Sequence, residues 1–88
     1  MTDTDLDLLR RLADDGNEEA ADRLADLASE RGDVEELKGL VDAGNELAAD
    51  RLAAIADAQG DIDTLTRLAD EGNDAAATLL SRTINDAG

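Results

Sequence analysis

Residues Asp33 to Gly60 read DVEELKGLVDAGNELAADRLAAIADAQG, and the fold turns on this stretch. Val34, Leu37, Leu40 and Val41 recur at the spacing that places them on one side of a helix. After Gly44-Asn45, a second stripe with the same period runs through Ala48, Ala49, Leu52, Ile55 and Ala56. Asp33 and Glu36 have capping-box spacing, which predicts a helix start at that point. Gly44 is placed to take the positive φ that ends the first helix, and Asn45 to cap the second at once. The stretch therefore predicts a short helix, a tight turn, a longer helix and a closing glycine at Gly60.

Outward from this block, the same pattern occurs once on each side. Asp5 to Gly32, Asp33 to Gly60 and Asp61 to Gly88 form three consecutive blocks of 28 residues without insertion or deletion, leaving only Met1 to Thr4 outside. Leu6, Leu9, Leu12 and Ala13 in the first block, and Ile62, Leu65, Leu68 and Ala69 in the third, repeat the first stripe. Asp5, Asp33 and Asp61 stand at expected caps of the first helices, and Asn17, Asn45 and Asn73 at those of the second. Self-similarity at this period is the mark of a stacked array. The expected fold is all-α: an α-solenoid of three stacked helix-turn-helix repeats with six helices. Residues 1–88 then form a single repeat domain with repeats 5–32, 33–60 and 61–88.

Composition explains why the hairpins should stack. Of the 88 residues, 17 are alanine, and the bulkier aliphatic side chains are fourteen Leu, three Ile, two Val and Met1. One hairpin cannot bury its stripe alone, but neighbours laid together bury a continuous one. Alanine pairs on the second helix let backbones approach closely, and leucines of the first helix fill the remaining space. High charge with little bulk also fits a disordered chain, but the regular repeat argues for order.

The chain has no Cys, His, Phe, Tyr, Trp or Pro. Disulfides, thiolate or imidazole metal ligands, Cys or His nucleophiles and aromatic platforms for bases are thereby excluded. No catalytic residue, cofactor or metal site is expected, and the protein reads as a non-enzyme. The start Asp3-Thr4-Asp5-Leu6-Asp7 imitates a calcium loop, but Leu8 stands where that loop needs its glycine. Paired carboxylates could suggest glycoside hydrolysis, which requires a pocket that raises a pKa, and nothing in the sequence builds one. The acidic N-terminus has no apolar run after it, and no stretch approaches a membrane span, so a cytoplasmic, membrane-free protein is expected.

Eight basic against 23 acidic side chains give a net charge of -15. Many of the acids suit first turns, where the helix dipole favours them, and Asp7–Arg11, Glu19–Arg23 and Asp63–Arg67 have i,i+4 spacing. Asp14, Asp42 and Asp70 recur where a helix C-terminus disfavours them. They are expected to accept hydrogen bonds from the next helix N-terminus or to meet an Arg across the stack. Such a surface repels phosphates, so no nucleic-acid partner is expected. It suits a basic protein partner, with DNA mimicry as the sharper form and solubility or salt adaptation as the competing account.

The helix-turn-helix unit with small residues on its second helix resembles the tetratricopeptide class, whose repeats run to about 34 residues. Ala28 to Gly44 resembles the junction between the two helices of an ankyrin repeat, without the Thr-Pro-Leu-His segment. Leu24-Ala25-Asp26-Leu27-Ala28-Ser29-Glu30-Arg31-Gly32-Asp33 resembles short Ala-, Leu- and Asp-rich bacterial helical repeats of the type Leu-Ala-x-x-Ala-x-x-Gly-Asp. These resemblances imply protein binding through a curved helical surface and imply no catalysis.

Differences between the blocks point to surface use. Leu8 occupies the position of Glu36 and Thr64, Leu79 that of Arg23 and Arg51, and Thr83-Ile84 invert the Leu27-Ala28 order. Either the terminal helices repack to close the stack, or Leu8, Leu79, Leu80 and Ile84 support self-association into a two-fold homodimer. Leu47 is a further exposed candidate. Gly39, inside a first helix, marks either a close backbone approach or a suboptimal site. The functional expectation is a non-enzymatic protein-interaction or scaffold repeat module, or an engineered or truncated array; the alternative is an acidic protein binding a basic partner, a DNA-mimic-like inhibitor.

Overall fold

The computed structural model describes residues 3–87, with side chains from 5 to 82. Six helices follow one another: α1 (Asp3–Asp14), α2 (Glu18–Arg31), α3 (Val34–Asp42), α4 (Glu46–Gln59), α5 (Ile62–Asp70) and α6 (Asp74–Ala87). The starts of α2, α4 and α6 at 18, 46 and 74 lie 28 residues apart, and so do those of α3 and α5 at 34 and 62. No strand occurs among the described residues.

The turns follow from side-chain chemistry. Asn17, Asn45 and Asn73 each accept the backbone N–H of the residue three positions on, at 2.9, 2.7 and 2.8 Å. Asp33 and Asp61 do the same for Glu36 and Thr64 at 3.2 and 3.1 Å. Each such cap supplies one of the N–H groups that a helix start leaves unpaired. Gly32 and Gly60 close α2 and α4 in the left-handed conformation, φ 68° and 70°, which an L side chain resists. The N–H of Asp33 then reaches back to Ala28 O, and that of Asp61 to Ala56 O, both at 2.8 Å.

Asp5 departs from its expected place. It lies inside α1, which already begins at Asp3. Asp33 and Asp61 become caps because a left-handed glycine breaks the chain just before them, whereas Thr4 precedes Asp5 and lets the helix continue.

Within each hairpin the two helices pack together, and α2, α4 and α6 pack in sequence along the stack. α3 also touches α2, and α5 touches α4, so each lies against two second helices. The backbone of α1 packs against α2 alone, and among the described residues the first helices do not pack against one another, α1 reaching α3 only through the Arg10–Glu36 side-chain bond. The extents of 48 × 22 × 15 Å fit this one-dimensional order. Ala25, Ala28, Ala48, Ala53 and Ala76 are fully buried along the second-helix seam, while Leu37 and Leu65 are the largest side chains wholly enclosed. Small residues thus set the helix spacing and leucines fill what is left. No charged or polar residue is buried among the described residues. No helix among them is long and apolar enough to cross a membrane.

Candidate interaction surface

Because the backbones of the first helices do not pack together, a groove opens at the turn side between hairpins. Between the first and second hairpins it measures about 900 Å³, with Ala13, Ala21, Leu24 and Leu40 among its lining and Asp14, Glu18, Asp22, Glu46 and Asp50 contributing carboxylates. One repeat further along lies its counterpart of about 510 Å³, lined by Val41, Ala49 and Leu68 with Glu46, Asp50, Glu71 and Asp74. The difference has a sequence cause. Gly39 and Ala43 line the first groove, and the corresponding residues of the third block are Arg67 and Glu71.

Arg10 is the one cation lining the first groove, and it is already engaged. Its Nε donates to Glu36 Oε1 at 2.9 Å, and a second guanidinium nitrogen lies 3.5 Å from Asp7 Oδ1. The bond to Glu36, and then that carboxylate's charge, hold Arg10 above its ordinary pKa. No cation lines the second groove. At the start of α5, Asp61 is held below the ordinary carboxylate range. The main cause is the Thr64 hydroxyl, which donates to Asp61 Oδ2 at 2.7 Å, followed by the Thr64 backbone N–H.

Two of the cross-hairpin bonds come from residues that the sequence marks only as helix caps. Asn45 Nδ2 donates to Asp22 Oδ1, and Asn73 Nδ2 to Asp50 Oδ1, each at 2.9 Å. One amide thus caps its own helix through Oδ1 and grips the preceding second helix through Nδ2. Arg51 meets Asp26 at 3.1 Å between α4 and α2. At the next junction the corresponding positions hold Leu79 and Ala54. The recurring Asp-Arg pairs at 22–23 and 50–51, replaced by Thr78-Leu79, are the sequence signal for these contacts.

Asp14, Asp42 and Asp70 do not take the expected role: none of their side chains has a hydrogen bond or ion pair to a described residue. The following helix already has an Asn acceptor at its start, and the arginines that cross the stack go to Glu36 and Asp26. Asp14 instead lines the first groove. The expected i,i+4 pairs are also absent. Asp7 pairs with Arg10, while Arg11, Arg23 and Arg67 form no ion pair among the described residues. An exposed i,i+4 pair gains little, so its absence costs the helix little.

Leu8 is 53% exposed on α1. Leu79 and Leu80 are half-buried against the core from α6, at the other end of the stack, and the side chain of Ile84 lies outside the described residues. These residues do not meet in one patch within the chain. Leu47 is also half-buried against the core rather than free. Around Gly39 an added Cβ would find nothing within 4 Å, so no backbone approaches closely there. Among the described residues, no three acidic side chains converge in a way that could hold a metal ion.

Comparison of the chain with protein-family models, with curated proteins and with solved structures gives no match.

Proposed function

We propose that this chain is a non-enzymatic protein-interaction module, a repeat scaffold whose turn-side grooves take a basic segment of a partner protein. The observation that carries this reading is the pair of grooves related by one repeat, each with an apolar floor under carboxylates. The wider groove holds a single cation already bound to Glu36, so its remaining carboxylates keep their attraction for an incoming charge. The apolar lining offers contact area, and the net charge of -15 steers a cationic partner toward the chain at a salt-dependent rate.

A test uses a fluorescent helical peptide with leucines and lysines on alternate faces, titrated at low and high sodium chloride. Glu18→Gln/Glu46→Gln removes two groove charges, and Glu30→Gln/Asp57→Asn removes two outside both grooves. Weaker binding only for the groove pair supports the reading. Equal loss for both pairs would reduce the effect to net charge and overturn it, as would no binding at low salt.

A further inference from the structure

The two junctions between hairpins show what a complete junction contains, and the free face of the first hairpin holds one half of it. Leu40 and Leu68 are 8% and 3% exposed where α3 and α5 lie against the preceding second helix as well as their own. Their counterpart Leu12, on α1, whose backbone packs against α2 alone among the described elements, is 37% exposed. Leu8 corresponds to Glu36, whose carboxylate faces the preceding hairpin through Arg10, so Leu8 points the same way off the end of the stack.

The polar half is present too. Asn45 and Asn73 use Nδ2 to grip an aspartate of the preceding second helix, and Asn17, capping α2 in the same manner, has no partner for its Nδ2 among the described residues. Arg51 meets Asp26 of the preceding hairpin, and its counterpart Arg23 is exposed without an ion pair to any described residue. Leu12, one amide donor and one guanidinium thus repeat the receiving side of a junction whose other side is a helix with Asp22 and Asp26 four residues apart, and Leu8 adds an exposed leucine where that junction has Glu36.

The opposite end of the stack does not supply that helix. On α6, Thr78 and Arg82 occupy the positions of Asp22 and Asp26, and exposed Ser81 that of the buried Ala25 and Ala53. A copy stacked head to tail would bring Arg82 toward Arg23. The polar substitutions close one end, and the other is left with exposed leucines.

We infer that Leu8, Leu12, Asn17 and Arg23 form a docking face for a partner helix that carries a small-residue seam and aspartates at i and i+4. The site lies at the end of the stack, shares only Asn17 with the lining of the first turn-side groove, and does not rest on the grooves' role. Continuity with the α2–α3–α4 junction fixes the geometry: the aspartates meet Asn17 and Arg23 while the seam covers Leu12.

The probe is a hydrocarbon-stapled helix with the sequence of residues 17–32, which carries Asp22 and Asp26, titrated into the full chain by calorimetry. The expected result is saturable binding weakened about fivefold by Arg23→Ala, with Asp26→Asn in the probe adding little further loss on that variant. Leu12→Ser should weaken it as well, while Arg51→Ala should leave it unchanged. Absence of binding, or binding indifferent to Arg23, overturns the proposal. Dependence on Arg51 does so too, since the probe would then be displacing the chain's own α2. Sedimentation of the chain alone completes the test: a dimer abolished by Leu8→Glu would make a second copy the occupant and refute the inferred partner.

Discussion

Leu12, Leu40 and Leu68 occupy one position in three successive hairpins but leave 37%, 8% and 3% of their surface exposed, so truncating each to alanine measures how much burial the stack adds. Leu→Ala removes roughly three methylene equivalents, each worth about 0.8 kcal/mol when buried, or about 2.4 kcal/mol in full. Scaled by burial, Leu68→Ala loses nearly all of this, and the enclosed cavity raises the cost to about 3 kcal/mol. Leu12 is about two thirds buried and opens to solvent, so no closed cavity forms and the cost stays near 1.5 kcal/mol. Leu40→Ala should fall close to Leu68→Ala. For a domain of this size each kcal/mol moves Tm by about 4–8 °C, which separates the end position from the two inner ones in circular dichroism melts at 222 nm. Equal losses at all three positions would refute the account, because the first hairpin would then be as enclosed as the others.

Gly39→Ala should raise stability by about 0.5–1 kcal/mol in urea titration, since the residue is helical, no atom lies within 4 Å of the new methyl group, and glycine is a poor helix former. Thr64→Ala removes the main cause of the lowered Asp61 pKa, so a carbon-detected NMR titration should show that carboxyl moving up toward its ordinary range. The sign for stability follows: with a folded pKa below the unfolded one, Asp61 contributes fully above the ordinary carboxylate range, and the contribution fades as pH falls through the lowered pKa. The variant should accordingly lose part of that acid dependence. Added sodium chloride should raise Tm by screening the net charge of -15; a falling Tm would mean that the exposed ion pairs outweigh self-repulsion.

The helices were legible because each boundary is written locally. Gly44-Asn45 is followed by an alanine pair at a helical period, and a left-handed glycine followed by Asp33 or Asp61 stops one helix and starts another. The first helix shows the limit of that rule. Asp5 has the capping residue type without the preceding break, so the helix runs past it. Contacts between hairpins were harder to read, since they depend on how neighbouring helices are offset. Asp14, Asp42 and Asp70 repeat in all three blocks and Asp22 and Asp50 in only two, yet the packing gives the amide from the next hairpin to the latter pair. Arg10 likewise has Asp7 and Arg11 as obvious neighbours in sequence, yet its shorter bond goes to Glu36, 26 residues away.

The replacement of Arg51–Asp26 by Leu79 and Ala54 has a consequence for assembly order. If every junction carried the same pair, the three hairpins could be permuted and still fit. Here an arginine at position 51 would find alanine where it needs an acid if its hairpin were moved to follow another copy of itself, and Leu79 would be set beside Asp26 if the third hairpin were moved to follow the first. The two junctions therefore differ in the residues they set face to face, and a shuffled chain would carry mismatched residues in its seams even though every unit kept its helices.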